Sequence, residues 1–115
     1  VCQLCRISRE AVYEWFAGSD ALLFTSERET LGLPLLEALE FGVPVIAPRL
    51  PYAEEILGQA GCYFDQPTAD AVMEAIICCR REYGSWREKI QSRAIEVRRD
   101  AATWSDHWQI LLRTP

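Results

Sequence analysis

Two short apolar runs, ALLFTS at residues 21–26 and VPVIA at 43–47, interrupt a chain whose apolar positions otherwise recur at helical spacing. Continuous apolar runs of this length, without polar alternation, mark strands covered on both faces, so both are expected to be central parallel strands. Between them Pro34 suits a first helical turn, and Gly42 stands where a left-handed C-cap would fall. A helix of about two turns over residues 34–41 follows. Before the first run, VCQLC reads as a strand, and Ser8 can cap a helix of about nine residues that ends at Gly18. After the second run, a short helix over residues 53–57 and a short strand over 62–64 continue the alternation.

The last third is helical throughout. Thr68 caps ADAVMEAIICCRREY, Gly84 is expected to end it, and SWRE has the S-x-x-E form of a capping box opening another helix. TWSD, with Thr103 as cap, reads as a further start, and Trp86, Ile90, Ala94 and Val97 form a core-facing stripe. Strands alternating with helices predict an α/β fold, a Rossmann-like parallel sheet of about four strands flanked by helices. With 115 residues, one domain is expected.

Charge and cysteine usage narrow the functional classes. A net charge of -5 with no long basic run lacks the footprint that binding a phosphate backbone needs, so no nucleic-acid partner is expected. No apolar stretch reaches the roughly 18 to 20 residues of a transmembrane helix, and a cytoplasmic location is the expectation. The five cysteines, Cys2, Cys5, Cys62, Cys78 and Cys79, are an odd number and read as reduced thiols. Cys2 and Cys5 have the spacing of half a zinc site, but no second half accompanies them and His107 is far off, so no metal is expected. Arg80, Arg81, Arg98 and Arg99 read as solvated helix surface.

Candidate chemistry concentrates in ERETLGLPLLEALE, residues 27–40. In an open parallel sheet ligands sit outside the carboxyl ends of the strands, which is where this loop begins. Gly32 permits close backbone approach, and the N–H groups of residues 31–36 at the following helix start suit a phosphate or a sugar hydroxyl. The carboxylates are acceptors and suit vicinal hydroxyls better than anions. On a helical wheel Leu35, Leu36, Ala38 and Leu39 form one stripe with Glu37 and Glu40 opposite, which leaves Glu37 open between solvated surface and ligand.

The run S-x-x-E-T-L-G-L-P-L-L-E-A-L-E-F-G-V-P-V-I-A closely resembles the signature of the family-four retaining glycosyltransferases of the GT-B fold. Its mark is two glutamates separated by seven residues, here Glu29 and Glu37, framed by Gly32, Pro34, Gly42 and Pro44. The segments on either side resemble the same C-terminal, nucleotide-sugar-binding domain, with Glu55 at a usual acidic position and TWSDHWQILL similar to the final helix. Arg28 and Glu40 depart from the usual residues.

The resemblance implies a role for each matched position. Glu37 would bind the ribose hydroxyls of a nucleoside diphosphate sugar, and Glu29, the expected catalytic residue, would contact the donor sugar. The amides of Leu31, Gly32 and Leu33 would lie near the sugar and diphosphate. It implies no cofactor beyond the donor substrate. The family's first strand, glycine-rich turn and Arg and Lys pair do not precede Val1, nor does the acceptor-binding N-terminal domain, so a partial GT-B C-terminal domain, inactive by itself, is expected. The expected partners are a nucleotide-sugar donor and either the missing N-terminal domain or a second copy across an exposed sheet edge. Two other readings remain: a non-catalytic interaction or assembly module that keeps the fold, and a sugar-nucleotide epimerase of related architecture.

Overall fold

A computed structural model describes residues 8–28 and 32–113, with side chains through residue 100. Three parallel strands form the sheet among the described residues, in the order β1 (Leu22–Leu23), β2 (Val45–Pro48), β3 (Gly61–Phe64). The register pairs Leu22 with Val45, and Val45 in turn with Gly61. The fold is α/β, as the alternation of elements predicts. The strand expected over residues 1–5 lies outside the described residues.

Helices α1 (Arg9–Ala17), α2 (Leu33–Phe41) and α3 (Pro51–Leu57) precede or join the strands, and α4 (Ala69–Arg81) and α5 (Tyr83–Arg113) follow the sheet. Their ends follow local chemistry. The Ser8 hydroxyl accepts from the Ala11 amide at 3.2 Å and the Thr68 hydroxyl from the Ala71 amide at 3.2 Å, each satisfying a donor that the first turn leaves free. Gly42 ends α2 at φ 68°, a left-handed position that costs a residue with a Cβ, and Val43 then donates to the Ala38 carbonyl.

Because successive strand residues point to opposite faces, the sheet separates two cores. Val45 and Ala47 join Leu35, Ala38, Leu39, Ala53, Leu57 and Ile90 beneath α1, α2, α3 and α5. Ile46 joins Cys62, Phe64, Ala75 and Cys79 on the other face, beneath α4. The predicted stripe of α5 is present: Ile90 and Ala94 are buried, Val97 packs on the first core, and Trp86 turns to the second.

Five expectations are corrected. ALLFTS forms a shorter strand than expected: only Leu22 and Leu23 enter the ladder, at one end of the strand order among the described residues, and Leu23 is 45% exposed. The α4 helix ends at Arg81, with Glu82 as its C-cap, rather than at Gly84, and α5 already begins at Tyr83. The Trp86 amide donates to the Glu82 carbonyl at 3.1 Å, so Gly84 and Ser85 fall inside the first turn and the apparent capping box is not used. The backbone of α5 runs unbroken through Thr103, which is therefore no cap. Leu36 is 37% exposed, because the buried stripe at Leu35, Ala38 and Leu39 follows the i, i+3, i+4 rule and position 36 is turned about 100° from it.

Candidate functional site

The carboxyl ends of the three strands lie along one edge, and the residues following them are Phe24, Arg49 and Asp65. The first connection, residues 24–32, leads into α2. Gly32 is its N-cap, at φ 59° and buried, and has no side chain to bond the helix amides. Glycine is favoured there by its left-handed backbone angle; a Cβ would also stand 2.7 Å from Ile56 Cδ1, the end of a side chain that would have to turn aside.

The amides of the α2 start are fewer than the sequence suggests. Leu35 and Leu36 both donate to the Gly32 carbonyl, at 2.9 and 3.3 Å, and Pro34 has no N–H. Of the described residues, the Gly32 and Leu33 amides are therefore those that the helical ladder itself does not use. Both precede Glu37 by little more than one turn, and the helix dipole favours negative charge or an acceptor there. Leu33 is exposed at this corner, at 54%.

Glu37 is half-buried, whereas Glu40 on the next turn is exposed. It faces the start of α1: its charge, with that of Glu10, helps hold the Arg9 guanidinium more firmly protonated, behind the larger effect of the Tyr13 hydroxyl, which accepts from Arg9 Nε at 2.9 Å. The α1 helix is fastened there by Phe16, stacked on Phe41 at 5.8 Å, and by Tyr13, 5.5 Å from the same ring. Glu37 and Arg9 thus lie near enough for their charges to interact. Glu29 and Leu31 lie outside the described residues.

A cleft of about 690 Å³ opens along the same edge on the α4 side. Thr25, Glu27, Arg28 and Arg49 form its polar rim, and Phe64, Val72 and Ile76 its apolar wall. None of Gly32, Leu33 or Glu37 lines it; the loop before α2 reaches it through Glu27 and Arg28. The structure therefore keeps Gly32, Leu33 and Glu37 together on α2 and separates them from this cavity.

Sequence reasoning missed two residues of the edge. Arg49 is a cation at the end of β2; its Nε donates to Asp65 Oδ1 at 2.7 Å and its guanidinium carbon sits 4.8 Å above the Tyr63 ring. The pair is half exposed or more on both sides, so it contributes roughly 0 to 1 kcal/mol. The signal available was its position one residue past an apolar strand. Tyr52 donates its hydroxyl to the carbonyl of Ser26, three residues past β1, a contact between distant positions that no local pattern announces.

Among the described residues no group of three His, Cys, Asp or Glu side chains could hold a metal ion, and no helix is long and apolar enough to cross a membrane. The Cys62 thiol is pushed up to about 12, first by burial and then by Cys78 and Cys79 nearby, and it donates to the Ala75 carbonyl. Such a thiol is packing rather than a nucleophile.

The sequence profile described as glycosyl transferases group 1 matches residues 1–96. The chain is 32% identical over 80 residues to the O-antigen chain mannosyltransferase B of Escherichia coli, a match covering 70% of this chain and 21% of that protein. It is 37% identical over 73 residues to the serotype-specific mannosyltransferase WbdA of Escherichia coli, covering 64% of this chain and 9% of that protein. The chain thus corresponds to about a fifth of the first relative's length, and to less than a tenth of the second's.

Proposed function

The chain belongs to the group 1 glycosyl transferases, and from that premise we propose that it is the donor-binding portion of a retaining glycosyltransferase that moves a hexose from a nucleoside diphosphate sugar to an acceptor. The observation that carries the proposal is the sequence spacing of Glu29 and Glu37, together with the placement of Gly32 as N-cap and Glu37 within α2, the helix that follows β1 in a parallel sheet. The names of its relatives favour mannose as the hexose. The whole chain, residues 1–115, is one domain in this reading, of cytoplasmic location and without a resident cofactor.

The roles follow from chemistry. Glu37, half-buried and beside a cation, is a pre-oriented acceptor for two ribose hydroxyls. The amides of Leu31, Gly32 and Leu33, at a helix N-terminus, approach the diphosphate and the sugar, and Glu29 accepts from the sugar's hydroxyls. Transfer rests on positioning the sugar and stabilising the departing diphosphate, which is an electrostatic task. The side chains that complete it and bind the acceptor belong to parts of the enzyme beyond this chain, so the isolated chain binds donor without transferring it.

Calorimetry or ligand-observed NMR with UDP-, GDP- and ADP-sugars tests this. One nucleotide class is expected to bind in the millimolar range, and Glu37→Ala to weaken it about tenfold, the scale of a lost charge-assisted hydrogen-bond pair. Absence of binding by all three classes at millimolar concentration would sink the donor-site reading.

A second reading, an assembly module that keeps the fold, draws support from a different observation. Strand β1, at one end of the sheet among the described residues, and the outer side of α4 leave Leu23, Met73 and Ile77 exposed, a surface suited to a second copy or to the acceptor-binding domain.

A further inference from the structure

We propose that Tyr52 is the positioning residue of the loop spanning residues 26–32, holding both of its ends through one side chain. The inference rests on the donor-site reading above and deepens it by naming what orients the loop that carries Glu29.

At the first end, the Tyr52 hydroxyl donates to the carbonyl of Ser26, and Ser26 Oγ donates to the Arg28 carbonyl at 3.0 Å. At the other end, the ring edge of Tyr52 lies against Gly32: a Cβ there would be 3.8 Å from Tyr52 Cδ2 and 2.7 Å from Cδ1 of Ile56, one turn further along α3. The ring itself is fixed. Phe24 meets it edge to face, with centroids 6.3 Å apart and planes at 81°.

The helix bearing Tyr52 is fixed in turn. Ala53 and Leu57 are fully buried, and Arg93 of α5 donates from Nε to the Ile56 carbonyl at 2.9 Å and from Nη2 to the Glu55 carbonyl at 2.8 Å. A loop that must present a carboxylate to a sugar hydroxyl loses conformational entropy on binding unless its ends are already held. Tyr52 meets that need from a rigid helix, across 26 positions of sequence to Ser26.

Tyr52→Phe separates this role from packing, because it keeps the ring and removes only the hydroxyl. Two readouts are taken on the whole chain: ¹⁵N relaxation and amide exchange in the free protein, and affinity for the sugar nucleotide that binds, relative to its nucleoside diphosphate. Expected are faster motion and exchange at the amides of Glu27, Arg28 and Gly32 with those of Ala53 and Leu57 unchanged. The preference for the sugar nucleotide over the diphosphate should fall about fivefold, the scale of one neutral hydrogen bond.

Identical relaxation and exchange in both proteins would overturn the clamp. A loosened loop with the sugar preference intact would overturn its role in donor binding. A wild-type chain that binds no sugar nucleotide removes the donor-site reading and this role with it, and the exchange data still decide whether Tyr52 holds the loop.

Discussion

Tyr63 shows how one side chain can couple a strand, a helix end and a surface cation. Its hydroxyl donates to the Gly58 carbonyl at 2.5 Å, its face receives Arg49, and its ring occupies the space where a side chain at Gly61 would go, within 2.6 Å of a Cβ there. Burial, and then the charge of Glu54, push its phenol from 10 up to about 12. The folded state thus favours the neutral phenol. The stability this contributes is complete below the unfolded value near 10 and is lost as pH rises through about 12. Urea denaturation between pH 9 and 12 is expected to show falling stability, with the slope reduced in Tyr63→Phe. The slope is not abolished, because burial raises Cys62, Cys79 and Tyr83 in the same direction. At this scale the sequence was only partly legible. Spacing singled out Glu37, but its half-buried place beside Arg9 depends on how α1 crosses α2, and no periodicity encodes that.

Among the elements, those with a local chemical signal were legible. Ser8, Thr68 and Gly42 cap the helices they were expected to cap, since a hydroxyl reaching an amide three residues on, or a glycine at positive φ, needs no distant partner. The junction of α4 and α5 misled for the opposite reason. Gly84 and Ser85 carry the local signature of a stop and a start, yet Tyr83 donates its hydroxyl to the Asp20 carbonyl at 2.5 Å and Trp86 sits in the second core, which sets the helix start one residue before the glycine. The α3 helix illustrates the reach of such distant ties: its last carbonyls are satisfied by the forked guanidinium of Arg93 from α5. Arg93→Ala is expected to destabilise the chain by about 2 kcal/mol in urea titrations, the scale of hydrogen bonds to a charged donor. Arg93→Lys should recover less than half of that, because a single ammonium cannot span both carbonyls in the fork geometry.

For the whole molecule the two faces of the sheet differ in how completely they are covered. On one side α1, α2, α3 and α5 enclose a core whose residues Leu35, Val45, Ala53, Leu57 and Ile90 are inaccessible to water. On the other, α4 supplies most of the cover, joined by Trp86 from the start of α5, and Met73 is 55% and Ile77 46% exposed. Light scattering across concentration is expected to show a rising mean mass, and Met73→Glu to lower it while leaving the fold intact, since that side chain is exposed. A constant monomer mass at high concentration would count against self-association at this face. The sequence by itself determined the α/β alternation, the caps, the membership of a family and the spacing of Glu29 and Glu37, because each of these is written in short-range pattern or in a motif. Only the tertiary structure decided that the ladder in ALLFTS is two residues long, that Leu35 and Leu36 spend their amides on Gly32, and that Tyr52 and Arg93 tie α3 to the rest of the fold. Those outcomes depend on which surfaces meet, and contacts between residues 26 or 37 positions apart are chosen by packing rather than by any local preference of the chain.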